Sequence, residues 1–430
     1  MSERLVSNAR TLEGEHVDIL FVDGRIESVS KAGALQGTAD EEHDAAGNLV
    51  TPTFSEPHTH LDMALTAGDP RWNASGTLRE GIKLWREYKT TLEQDDVRER
   101  AKRVLEQFAA NGVTRVRTHA DTTEPALNGL SALLELKRDL ADRIDLQIVA
   151  FPQDGLLTDP EHETLLQEAI EMGADLVGGI PHFEYTSEDG NQAVKTAFDT
   201  AERYDCGIDL HVDEIDDPAA RFTETLASEA IKRGVDGNVT ASHATAMHSY
   251  PNAYAGRLIE MLAESGVSVI TNPLDNAVLQ GRYDDYPRRR GHTRIDELHD
   301  AGVTVGIGHD SVMDPVYHYG CADPLDAAYV LVHFAHMNGY NDVGTLWRML
   351  TESNAQVFGV DEAEYGIKEG ADASLVVFGS KTPFEVLRKR EGDRIVFSHG
   401  EKIAWRESNA AVSLSDNGTL TDPGTSTDGF

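Results

Sequence analysis

A chain of 430 residues, 40% of them hydrophobic, can bury a large core and is too long for one small domain. Acidic residues outnumber basic ones 74 to 38, a formal net charge of −36 that argues against nucleic acid and anionic membranes as partners. Cys206 and Cys321 are too few for a disulfide framework or a cysteine-rich zinc site, so two reduced thiols are expected.

The opening segment MSERLVSNARTLEGEH is polar and lacks the apolar core of a signal peptide. No apolar run reaches the roughly 18 residues of a membrane span. A cytoplasmic protein is expected. Its acids are scattered along the chain, so the excess belongs to the surface. A salt-rich cytosol, whose counterions screen the self-repulsion, is the expected setting of such a halophilic composition.

In chain order, residues from Leu5 to about Gly47 hold short alternating pieces, VDILFVDGRIESVS among them, which predict strands joined by a VDG turn. Strand-like runs follow at 48–56, 112–120, 145–151, 175–181, 207–212, 237–243, 266–272 and 302–309. Helical patterns such as 95–110, 126–140, 162–172 and 219–233 lie between them. Gly112, Gly173, Gly234, Gly266 and Gly302 stand at or just past helix ends, where a left-handed cap is needed. This alternation predicts an α/β protein with a (β/α)8 barrel, whose active site would lie at the C-terminal ends of the strands. After the barrel, ADASLVVFG, DRIVFSHG and EKIAWRE return to the style of the first residues. Segments 1–50 and 370–410 are therefore expected to build one small β-sandwich flanking a barrel of 51–369. The Ser/Thr/Gly/Asp-rich tail, 411–430, is expected to be disordered.

Chemistry collects at the predicted strand ends. EPHTHLD places His58 and His60 two apart at the end of the first strand, where alternation puts both on one face. The fifth strand ends in IDLHVDE with His211, the sixth in TASH with His243, and the eighth in GHDS with Asp310. Any one of these could be a satisfied core residue. Four separate strands delivering His, His, His and Asp to one rim point to a metal ion. Such an ion lowers the pKa of its water and supplies hydroxide near neutrality. Glu214, three residues beyond His211, would face away from it in a continuing strand. A turn after His211 would instead hold Glu214 over the pocket as a general acid. The plainer alternative is a solvated acid among Asp213, Asp216 and Asp217. His182, after the fourth strand, either lines the pocket or packs behind it.

The ordered segments EPHTHLD, GDPRWNASGTLREGI, VRTHAD, DLQIVAFPQDG, IPHFE, HVDEIDD, TASHATAMHSY, NPLDNAVLQGR, YPRRRG and GHDSVMDP resemble the bacterial-type cytosine deaminases of the amidohydrolase superfamily. The resemblance implies one Fe2+ or Zn2+ held by His58, His60, His211 and Asp310, with Glu214, His243 and Asp310 handling protons. It implies that Gln153 hydrogen-bonds the amide-like edge of a pyrimidine, with Leu78 presenting backbone to the same edge and Phe151 nearby. A carboxamide offers both the donor and the acceptor such an edge needs. The implied reaction passes a water proton to His243 with help from Asp310 and puts hydroxide on ring carbon 4. Glu214 then protonates N3, and Asp310 returns a proton to the departing amino group. Two-metal relatives of this architecture bridge their ions with a fourth-strand lysine. LVGGIPHFE has none, so a single ion is expected.

Two positions depart from the pattern. Ser311 stands where relatives acting on cytosine carry a second aspartate, and Val316 where they carry tryptophan. A roomier pocket near ring carbon 5 is expected, accepting a 5-substituted cytosine such as 5-methylcytosine at least as well as cytosine. Tyr317, His318 or Tyr319 could alternatively refill the space. Rival readings are deamination of isoguanine or creatinine, hydrolysis of a cyclic amide, and a metal-binding module without catalysis. The nucleic-acid-editing zinc deaminases are excluded by their need for a P-C-x-x-C motif. The expected partner is a nucleobase-sized small molecule, with neither nucleic acid nor membrane. Family likeness implies a homo-oligomer.

Overall fold

The structure is a computed structural model and describes residues 3–408 apart from 236 and 391. The tail expected to be disordered, and the last two residues of the 370–410 flank, lie outside the described residues. Eight strands run parallel, each beside its sequence neighbour: β1 (Phe54–Thr59), β2 (Val113–Asp121), β3 (Asp145–Phe151), β4 (Leu176–Gly179), β5 (Gly207–Val212), β6 (Val239–His243), β7 (Ser268–Thr271) and β8 (Val305–Ile307). Helices lie between them. The sheet is almost closed. Between β8 and β1 the described residues form one parallel backbone bridge, Thr59 to Asp310, with the Asp310 N–H donating to the His58 carbonyl at 2.9 Å.

Local sequence explains the layers. Helix Gln94–Ala110 buries Val97, Ala101, Val104, Leu105 and Phe108, a stripe at the spacing of one helical face. Each of the valine, leucine and phenylalanine side chains removed from water contributes about 1.5–3 kcal/mol. Gly112, at φ +90°, ends that helix and feeds β2. All nine residues of β2 are buried, yet Arg117 and His119 alternate on its inner face. The barrel interior is therefore partly polar. Arg117, fully buried, donates to Asp209 Oδ2 at 3.0 Å, to Gln147 Oε1 through two nitrogens at 3.0 and 2.9 Å, and to the Val357 carbonyl at 2.7 Å.

The flanks form two further four-stranded sheets. One orders Arg25–Lys31, His16–Val22, Glu3–Arg10 and Glu41–Asp44; the other orders Glu401–Arg406, Arg394–Ser398, Leu375–Phe378 and Val50–Pro52. Val6, Ile19, Phe21 and Ile26 from the first share a core with Leu375, Val377 and Phe397 from the second. The expected sandwich from both chain ends is present.

Strand limits differ from expectation in two informative places. The run at 48–56 divides: Val50–Pro52 pairs antiparallel with Leu375–Phe378, and β1 begins only at Phe54. Pro52, with no N–H to give, stands in the edge strand of that sheet, where the loss is tolerated. The eighth strand, expected over 302–309, is paired only at Val305–Ile307. Beyond it the chain turns to bring Asp310, at φ +68°, against β1.

Candidate active site

The C-terminal rim of the barrel gathers imidazoles. His58 Nε2 lies 3.1 Å and His60 Nε2 3.2 Å from His211 Nε2. Asp310 Oδ1 is 3.8 Å from His58 Nε2 and 3.6 Å from His60 Nε2. Rings aimed nitrogen-to-nitrogen at such distances have the spacing of ligands around one cation. Burial, and then the neighbouring imidazoles, holds His58, His60 and His211 well below their ordinary pKa, so all three are neutral donors. Gly308 makes room for the arrangement: a Cβ there would stand 3.0 Å from His58 Cβ and closer still to Asn272.

Beside the cluster lies a cavity lined by His60, His211, Glu214, His243, Asp310 and Gln153, with Leu78, Ile82, Phe183, Ser311 and Val316 also on its walls. The chain does turn after His211. Asp213 adopts φ +53°, and its carboxylate takes the N–H groups of Phe222 and Thr223, which fixes the bend. Glu214 is thereby held over the cavity, 6% exposed, with its Oε1 3.6 Å from His243 Nδ1 and 3.5 Å from Asn276 Nδ2. Burial pushes its carboxyl up to about 8. His243 Nε2 is 3.9 Å from Asp310 Oδ2, and burial followed by the charge of His182 lowers its imidazole to about 3. Asp310 is raised well above the usual carboxylate range by burial and then by Asp275.

Leu78 opens helix Leu78–Tyr88, whose N-cap Thr77 accepts the Glu80 N–H. A first-turn N–H has no partner within its own helix, so Leu78 can offer it to a ligand. Asn73 secures the entry by donating to the carbonyls of Thr77 and Pro315, both at 3.0 Å. Phe151 is placed differently from expectation. It does not line the cavity; its ring stacks on His211 from behind, centroids 4.2 Å apart and planes at 17°. His182 sits on a one-turn helix, Pro181–Phe183, and lines an outer recess that shares Glu214 and Leu78 with the cavity. The loss of a second carboxylate holds only at position 311, because Asp275 and Asp314 reach the same cavity from other segments.

His119, Asp209 and Asp275 carry no functional reading in the sequence. His119 is fully buried among His58, His60 and His211, and neither of its ring nitrogens has a hydrogen-bond partner. Asp209 accepts from Ser242 Oγ at 2.7 Å, and that hydroxyl meets His58 Nδ1 at 3.0 Å. This chain fixes which nitrogen of His58 faces the cluster. The available signal was Arg117 and His119 two apart in a strand, VTRVRTHAD, that lies between helices and is buried along its whole length.

The sequence profile of the amidohydrolase family matches residues 72–396. The chain belongs to this family. A 5-methylcytosine deaminase from Klebsiella pneumoniae, solved with 5-fluorocytosine, is 42% identical to this amidohydrolase, with a TM-score of 0.90 over 95% of this chain and 98% of that one. An N-isopropylammelide isopropyl amidohydrolase from Pseudomonas sp. (strain ADP) is 30% identical over 88% of this chain and 91% of its own. A pterin deaminase from Rhizobium rhizogenes is 30% identical over 90% of this chain and 87% of its own. Family members use a divalent metal, and the residues of this amidohydrolase fit one: buried neutral imidazoles and a carboxyl converge without other partners for their Nε2 atoms. Among the described residues no helix is long and apolar enough to cross a membrane.

Proposed function

We propose that this amidohydrolase deaminates cytosine or a 5-substituted cytosine, 5-methylcytosine among them, with water replacing the amino group. The ring C–NH2 bond breaks, a ring C=O forms, and uracil or thymine leaves with ammonia. One observation carries the reading: the histidine cluster, a protonated carboxyl (Glu214), a neutral imidazole (His243) and a carboxamide (Gln153) all face one small cavity. The 42% identity to a 5-methylcytosine deaminase supports the same substrate class.

His58, His60, His211 and Asp310 would hold one Fe2+ or Zn2+, which when bound acidifies water and makes hydroxide available near neutral pH. His243, uncharged, accepts the proton that water gives up. Gln153 and the Leu78 N–H orient the ring by its amide-like edge. Glu214, carrying its proton, donates to N3 so that negative charge does not build up there. Asp310 returns a proton to the departing nitrogen. Phe183, Ile82 and Val316 close the remaining walls and exclude bulk water. Family likeness supports a homo-oligomer, and the cytoplasm is the compartment expected from the sequence.

The test offers purified, iron- or zinc-loaded protein cytosine, 5-methylcytosine, isoguanine and creatinine, and records ammonia and the ring product. Cytosine or 5-methylcytosine should give the highest kcat/KM. Ring opening without ammonia would establish a cyclic amide hydrolase instead, and a higher rate on isoguanine or creatinine would reassign the substrate.

A further inference from the structure

The cavity holds two carboxyl groups that the proposed deamination leaves unused. Asp275 stands on helix Pro273–Leu279 after β7, and Asp314 on the loop after β8. Both line the cavity, at 1% and 0% exposure. Asp314 accepts the N–H groups of Val316 and Tyr317 through Oδ1, at 2.8 and 2.9 Å, but its Oδ2 has no partner. Asp275 Oδ1 has none either. The Ser311 hydroxyl lies alongside both groups.

By the substrate reading above, Ser311 and Val316 face ring carbon 5, and the cavity wall they share is unequal. Val316 offers methyl groups; Asp275, Ser311 and Asp314 offer oxygen. A 5-methyl group brought against them would exclude water from these acceptors and leave them unsatisfied, which is costly in a dry site. A hydroxyl or amino group would donate to them. A carboxyl oxygen accepts whether or not the group carries a proton, so the argument does not depend on protonation.

We propose that Asp275, Ser311 and Asp314 form a subsite for a hydrogen-bond-donating substituent at ring carbon 5, so that a 5-hydroxymethyl- or 5-aminocytosine is preferred to 5-methylcytosine. This rests on the deaminase reading and narrows its substrate class. The experiment compares ammonia release from cytosine, 5-methylcytosine and 5-hydroxymethylcytosine by the metal-loaded wild type and by Asp275→Asn and Asp275→Leu. The wild type should favour hydroxymethyl over methyl in kcat/KM by about tenfold or more, because a site built around acceptors rejects a ligand that cannot donate. In Asp275→Leu the ratio should fall by about the same factor or invert, while Asp275→Asn, which keeps one acceptor oxygen, should fall between. A wild-type preference for methyl would overturn the subsite, as would a hydroxymethyl preference that survives in Asp275→Leu. Should the leucine variant not fold, the wild-type ratio and the asparagine variant decide. Cytosine separates the two failures: ammonia from cytosine with methyl preferred removes the subsite alone, whereas no ammonia from any of the three rings removes the deaminase reading with it.

Discussion

Glu214 owes its chemistry to burial. Its carboxyl is pushed by burial from 4.5 to about 8, so it enters a neutral-pH reaction already protonated. The sign of the pH dependence follows. As pH climbs through about 8 the proton is lost and kcat should fall on the alkaline limb. Glu214→Gln keeps the shape and removes the transferable proton. It should retain full metal content while kcat drops about 10²- to 10⁴-fold, the usual contribution of a positioned acid. Metal analysis beside steady-state kinetics checks this; near wild-type turnover would remove the acid role. Glu214 was legible because its spacing from His211 demands a turn, and Asp213 supplies that turn. Asp275 was not, because no periodicity in NPLDN tells which face of a seven-residue helix meets a ligand.

Between elements, the polar layer inside the barrel ties β2, β3, β5 and β6 together through Arg117, Gln147, Asp209 and Ser242. Replacing Asp209 by Asn would leave the Arg117 guanidinium buried without its counter-charge, at a cost of about 3–5 kcal/mol. It would also weaken the acceptor that orients Ser242 toward His58, so metal affinity should fall about 10- to 100-fold. Chemical denaturation and a metal titration read the two effects separately; unchanged values in both would show that the layer merely fills space. Arg117 and Asp209 lie 92 residues apart, and a linear reading has no way to pair them. The eight-strand alternation was readable from apolar runs and glycine caps, since both are local. Partner choice was not, as the division of 48–56 shows: Val50 and Phe54 look alike in sequence yet join different sheets.

For the whole molecule the dominant quantity is the charge of −36. Like charges spread over one surface repel, and counterions shorten the reach of that repulsion to about 8 Å at physiological ionic strength and about 3 Å at 1 M. The melting temperature should therefore rise steadily through a KCl series, which calorimetry can follow; a flat series would contradict a salt-rich setting. The barrel is sparsest in backbone pairing where β1 meets β8: one bridge joins them, and side chains complete that edge, the Thr59 hydroxyl on the Asp310 carbonyl at 2.7 Å, the Glu56 carboxylate on the His309 N–H at 2.9 Å, and Asn354 between the Ser55 and Ile307 carbonyls. His58 and His60 stand on one side of that edge and Asp310 on the other, so a bound ion would act as a clasp across it. Adding free metal at about 100 times its dissociation constant should stabilise the fold by about 2.7 kcal/mol. A chelator should release the clasp, so that the Asp310 amide exchanges its hydrogen well before the amides of β5 and β6.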